Sequence, residues 1–165
     1  MEPVTDNAVP TGPALVTGVN HVGLTVTDLE RSIAFYTEVL ECEVVMRQEK
    51  QGGYLAAIVG YPDVDVKMAH LRLPGSELRL ELFEYRSPRS ALRDLQPRNV
   101  GNAHVCFVAS DLDKLYERLV ERGVDTFSPP VQVDTGANKG GVSLYLHDPD
   151  GITVEVFQPP PGRKR

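Results

Sequence analysis

The feature that most limits what this chain can fold into is an internal repeat. Residues 20–40, "NHVGLTVTDLERSIAFYTEVL", and residues 103–123, "AHVCFVASDLDKLYERLVERG", follow one plan: His-Val, an apolar strand, a hydroxyl residue, Asp-Leu, then an amphipathic helix. The histidines that open the two copies, His21 and His104, stand 83 positions apart. Self-similarity at such a spacing means two copies of one supersecondary unit. At 165 residues the chain has room for one compact domain or two small halves that share a core.

Each copy carries the signals for a strand-to-helix switch. Thr27 with Glu30, and Ser110 with Asp113, have the spacing of a helix-capping pair. Leu29, Ile33, Tyr36 and Leu40 then form one apolar stripe, as do Leu112, Leu115 and Leu119 before Gly123, and both stripes predict helices packed on a sheet. Strand-like runs follow. They are "CEVVMR", "GYLAAIVG", "VDVKMAHLRL" and "LRLELFEY" in the first half, then a weak "VQV", "GVSLYLH" and "ITVEVF" in the second. A turn at Asp148-Pro149-Asp150-Gly151 divides the last two. The fold expected is α+β, with β-α-β-β-β twice: a first module over 17–86, a linker over 87–100, a second module over 101–158, and flexible tails at 1–16 and 159–165.

Successive strand side chains point to opposite sides, so the faces can be assigned. Val22, Leu24 and Val26 cover the helix side of the first strand, leaving His21, Gly23 and Thr25 on the other. In the second copy Val105 and Phe107 go inward while His104 and Cys106 face away. Leu78, Leu80 and Leu82 oppose Arg79, Glu81, Phe83 and Tyr85, and Ile152, Val154 and Val156 oppose Thr153, Glu155 and Phe157. One imidazole and one carboxylate per copy therefore share the non-helical face. Two neutral imidazoles with two carboxylates suit a divalent first-row metal, here Zn, Ni, Co, Fe or Mn, one per site. A cation would compensate for burying Glu155 on a strand this apolar.

Other polar residues take plainer readings. His70 either lines the site as a substrate contact or proton donor or is an ordinary strand residue, the reading preferred, and His147 reads as a loop residue. Glu84 falls in step with Leu80 and Leu82 and is expected at an exposed edge. Cys106 is a candidate for the pocket wall or an inert thiol, and Phe83, Tyr85 and Phe157, with Tyr54, are candidate apolar walls of the substrate pocket or simply core. Cys42 and Cys106 make neither a disulfide framework nor a zinc motif.

Composition excludes several classes. Apolar residues at 41% and charged residues at 24% are ordinary for a globular chain, so disorder is not expected. A net charge of −6 argues against a nucleic-acid partner, and the basic groups of "GRKR" and "YRSPRSALRDLQPR" read as solvated tail and loop. No apolar run approaches the roughly 20 residues a bilayer requires, and the N-terminus has no signal-peptide pattern. A soluble, cytoplasmic protein is expected, with no membrane partner.

The segments "HVGLTVTDLERSIAFYTEVL", "GNAHVCFVASDLD" and "YLHDPDGITVEVFQ" resemble the vicinal oxygen chelate superfamily over about residues 17–158. That superfamily includes glyoxalase I, methylmalonyl-CoA epimerase, extradiol dioxygenases, and fosfomycin and bleomycin resistance proteins. The resemblance implies paired βαβββ modules that close a curved mixed sheet around a metal, often in a homodimer. It carries the ligand roles to His21, Glu81, His104 and Glu155. A carboxylate at position 81 is similar to the four-ligand pattern of glyoxalase I. However, Val100 and Tyr85 stand where that enzyme has the Arg and Asn that help hold glutathione. The activity implied is a metal-dependent lyase or isomerase acting on vicinal oxygens through an enediolate or enolate. Glu155 and Glu81 are the catalytic candidates, with Glu155 preferred as base. The alternatives are an Fe(II) extradiol-type dioxygenase and a non-enzymatic small-molecule binding or resistance protein. Whether the modules of one chain meet each other or exchange with a second chain stays open.

Overall fold

The computed structural model describes residues 13–162; residues 1–12 and 163–165, which fall in the two expected tails, lie outside the described residues. The first module runs β1 (His21–Thr25), α1 (Leu29–Glu38), β2 (Glu43–Gln51), α2 (Gly53–Val59), β3 (Asp65–Arg72) and β4 (Arg79–Ser87). The second runs β5 (Val105–Val108), α3 (Leu112–Glu121), β6 (Val131–Gln132), β7 (Val142–His147) and β8 (Thr153–Gln158). Each makes a four-stranded mixed sheet, ordered β1-β4-β3-β2 and β5-β8-β7-β6. The first strand of each module lies parallel to its last, and the remaining pairs are antiparallel. Repeat, order and handedness of pairing agree between the halves.

One expected strand is a helix. "GYLAAIVG" becomes α2, entered through Gly52 and Gly53 at φ 57° and 62° and left through Gly60 at φ 74°. Those left-handed positions break a strand on both sides. A short apolar run does not by itself distinguish strand from helix, and its paired alanines favour the helix. Leu55 anchors α2 on Val64, Val66 and Met68, on the sheet face opposite α1.

The helix caps also differ from expectation by one position. Asp28 and Asp111, not Thr27 and Ser110, accept from the Arg31 and Lys114 amides, both at 3.0 Å. A carboxylate there also complements the positive end of the helix dipole. The first amide of each helix finds a further acceptor on the last strand of its own module: Leu29 N donates to Glu84 Oε2 at 3.0 Å and Leu112 N to Gln158 Oε1 at 2.6 Å. Glu84 is therefore not an edge residue; it ties α1 to β4.

The modules meet through their helix-bearing sides. One apolar cluster contains Leu29, Ile33 and Tyr36 of α1, Leu112 and Leu119 of α3, Leu80 and Leu82 of β4, and Val154 and Val156 of β8. The β7–β8 turn locks the contact with two buried acids. Asp148 Oδ1 accepts from the Asp150 and Ile152 amides, while its Oδ2 accepts from the fully buried Tyr36 hydroxyl at 3.2 Å. Burial, and next the Asp148 charge, raise the Tyr36 hydroxyl far above its usual range. Asp150 accepts from the Thr27 amide at 2.8 Å, from the Thr27 hydroxyl, and from Arg31 at 2.5 Å. Replacing Asp150 with Ala strands these donors, although Arg31 is half exposed and recovers water. A loss of about 2–4 kcal/mol in urea unfolding is expected, and a loss near zero would show that the turn does not hold the modules together.

Candidate functional site

With the helix-bearing faces joined, the opposite faces of both sheets point away from the shared core. Their registers assemble the site. In the first module Gly23 of β1, Glu81 of β4 and His70 of β3 lie side by side, with His21 two residues before Gly23. In the second, Cys106, Glu155 and Tyr145 form the equivalent row, with His104 two residues before Cys106.

Each row holds a histidine–carboxylate pair. His21 Nε2 is 3.2 Å from Glu81 Oε2, and His104 Nε2 is 3.1 Å from Glu155 Oε2. The carboxylates are sunk, at 9% and 21% side-chain exposure, whereas the imidazoles are open at 41% and 40%. The other oxygen of each acid is held from the neighbouring strand. Glu155 Oε1 accepts from the Ser143 hydroxyl at 2.9 Å, and Glu81 Oε1 lies 2.9 Å from His70 Nε2. That His70 nitrogen is buried but not aligned for a hydrogen bond, so it remains without a hydrogen-bond partner.

Imidazole and carboxylate are donor types that a first-row cation takes. Metal–nitrogen and metal–oxygen bonds of about 2.0–2.2 Å place adjacent ligand atoms about 3 Å apart, the separation found in both pairs. Among the described residues neither acid pairs with a lysine or arginine; imidazoles, the Ser143 hydroxyl and the Cys106 thiol are their neighbours, so a cation would compensate their burial. The two pairs do not merge within the chain: among the described residues no group of three or more His, Cys, Asp or Glu is arranged to hold a metal. Two clefts of about 640 and 730 Å³ lie elsewhere, along the edge of β5 and under the 88–95 segment, and neither is lined by either pair.

The other expected contacts divide. Phe83 and Tyr85 continue the Glu81 face, their rings stacked 6.3 Å apart, with Tyr61 edge-on to Tyr85. They pack against the α2 cluster and make an apolar wall. Phe157 leans on Gly141, where a Cβ would overlap its ring. Cys106 does lie beside Glu155, but burial, then the Glu155 charge, push its thiol up to about 12, so it is not a ready nucleophile. Tyr145 is a contact the sequence reading missed. Its hydroxyl is 3.4 Å from His104 Nε2, and burial, then Glu155, raise its pKa. Tyr145 and Ser143 share a strand parity with each other, which places both on the Glu155 face.

A family model described as the Glyoxalase/Bleomycin resistance protein/Dioxygenase superfamily matches residues 18–156. The chain belongs to that superfamily. As a superfamily member it is 33% identical to a 2-epi-5-epi-valiolone epimerase from Actinomyces sp, over 87% of this chain and 80% of that one. It is 27% identical to a lactoylglutathione lyase from Salmonella typhimurium, over 84% and 90% of the two chains. A glyoxalase family protein from Bacillus cereus shares the fold with a TM-score of 0.78 at 21% identity, over 93% of this chain and 99% of that one. The superfamily thus accounts for the repeated module, and its members are mostly enzymes acting on small molecules. Among the described residues no helix is long and apolar enough to cross a membrane.

Proposed function

We propose that this chain is a metal-dependent isomerase or lyase that moves a proton on the carbon beside a carbonyl, in a small substrate bearing neighbouring oxygens. The observation that carries the reading is the matched pair of half-sites: His21 with Glu81 and His104 with Glu155, at equivalent places in two modules. The similarity to an epimerase supports proton transfer as the chemistry.

In this reading a cation is held by those four residues, two from one protomer and two from its partner in a homodimer. The open imidazoles support that arrangement: each module presents its pair on the face turned away from the shared core, with His21 and His104 accessible, and the chain's own two pairs do not merge among the described residues. The cation supplies Lewis-acid stabilisation of the negative charge that develops on the substrate oxygen. Glu81, buried and approached on both oxygens by His21 and His70, is the fixed ligand. Glu155 is more open and is held on one side by a serine hydroxyl, so it is the acid–base group that removes and returns the proton. Phe83 and Tyr85 exclude water from one side of the substrate.

Anaerobic purification followed by elemental analysis tests the reading, together with incubation of the loaded protein with α-hydroxyketones in D2O. About one Zn, Ni, Co, Fe or Mn per chain is expected, with deuterium entering at the α-carbon. A metal-free protein with no exchange sinks the proposal in favour of a binding role. Iron with oxygen uptake on catechols would replace it with a dioxygenase.

A further inference from the structure

The His104–Glu155 face carries one more ordered imidazole, His147, the last residue of β7. Its surroundings are built rather than incidental. Thr126 bridges Leu146, so residues 125–127 run beside β7; His147 N donates to Asp125 O at 2.9 Å and Phe127 N to Tyr145 O at 2.9 Å. This backbone pairing sets the Asp125 carboxylate 2.6 Å from His147 Nδ1. In the neutral ring, a carboxylate on Nδ1 favours the tautomer that carries its proton there and makes Nε2 the hydrogen-bond acceptor. Phe127 packs against the imidazole with ring centres 4.4 Å apart and planes inclined at 46°, and the file of rings continues through Tyr145 to His104 at 6.0 and 5.2 Å.

The register gives the reach. Tyr145 is directly opposite Glu155, and His147 is opposite Thr153, so His147 is the diagonal neighbour of Glu155 on this face. Diagonal neighbours are about 7–8 Å apart. A substrate whose reacting carbon lies at Glu155 therefore brings a substituent two or three bonds away to His147.

We propose that His147, oriented by Asp125, is a specificity-determining residue of the same site: its Nε2 accepts a hydrogen bond from a substrate hydroxyl outside the vicinal oxygen pair, so the substrate class is a polyhydroxylated ketone. This rests on the proton-transfer reading above. An acceptor beside a bound substrate rewards a hydroxyl donor and is left unmatched by a substrate lacking one.

Calorimetry on the Zn(II)-loaded protein tests it, with hydroxyacetone as the probe that has only the vicinal pair and erythrulose as the probe with further hydroxyls. The wild type is expected to bind erythrulose about tenfold more tightly. His147→Phe retains the ring against Phe127 and should abolish that preference while Zn(II) and hydroxyacetone affinities stay unchanged. Asp125→Asn should reduce the preference, and the nitrogen spectrum of metal-free protein should show His147 leaving the Nδ1–H tautomer. A preference that survives in His147→Phe, a wild type that does not discriminate, or hydroxyacetone binding that falls in step would each overturn the assignment. Wild-type protein that takes up no Zn(II) would overturn the metal-dependent reading as well, and so separates the two failures.

Discussion

His21→Ala and His104→Ala are each expected to lower turnover at least about a hundredfold, and dimers formed from an equal mixture of the two variants to recover about a quarter of wild-type activity. The recovery follows from geometry. If each site takes His21 and Glu81 from one protomer and His104 and Glu155 from the other, a mixed dimer has one site with both substitutions and one with neither. Random pairing makes half the dimers mixed, and half the sites in those are intact. If the four residues instead met within a chain, every site in the mixture would be damaged and nothing would return. Co-expression with two different tags, followed by purification on both, isolates the mixed dimer and should raise recovery to about half. Inactive mixed dimers that still form would remove the shared-site arrangement in favour of a site confined to one chain.

The split between what could and could not be read beforehand follows the range of the interactions involved. The faces of β1, β4, β5 and β8 were legible because alternation along a strand is local, and the apolar partners Leu80, Leu82, Val154 and Val156 are all buried. The pairing of His21 with Glu81 and of His104 with Glu155 was legible because the repeat puts each acid on the strand that lies parallel to the one its histidine opens. Elements decided by a partner elsewhere in the chain were not. Thr27 reads locally as a cap, but Asp150, 123 positions away, takes both its amide and its hydroxyl. Glu84 reads as an edge residue, but it accepts from the first amide of α1. His147 reads as a loop because the turn begins at the next residue, while the carboxylate that orients it comes from Asp125 on a neighbouring segment. In each case the deciding contact is a tertiary hydrogen bond, which leaves no periodic trace in the sequence.

Glu155→Gln should separate catalysis from metal binding. The amide keeps an oxygen for a cation and a group for the Ser143 hydroxyl, but it cannot take a proton, so turnover and α-deuterium exchange are expected to fall about 10²–10⁴-fold with metal content largely retained. Glu81→Gln should fail differently. Its carboxylate is only 9% exposed and lies between two imidazoles, so the amide must present an NH2 to His21 or His70, and loss of metal should come first. The contrast is what matters, since two equivalent carboxylates in a pseudo-symmetric site would respond alike. If Glu155→Gln leaves exchange intact while Glu81→Gln abolishes it with metal still bound, the acid–base role belongs to Glu81. His70, whose buried Nε2 lies 2.9 Å from that carboxylate, would then become the group that holds the base in place.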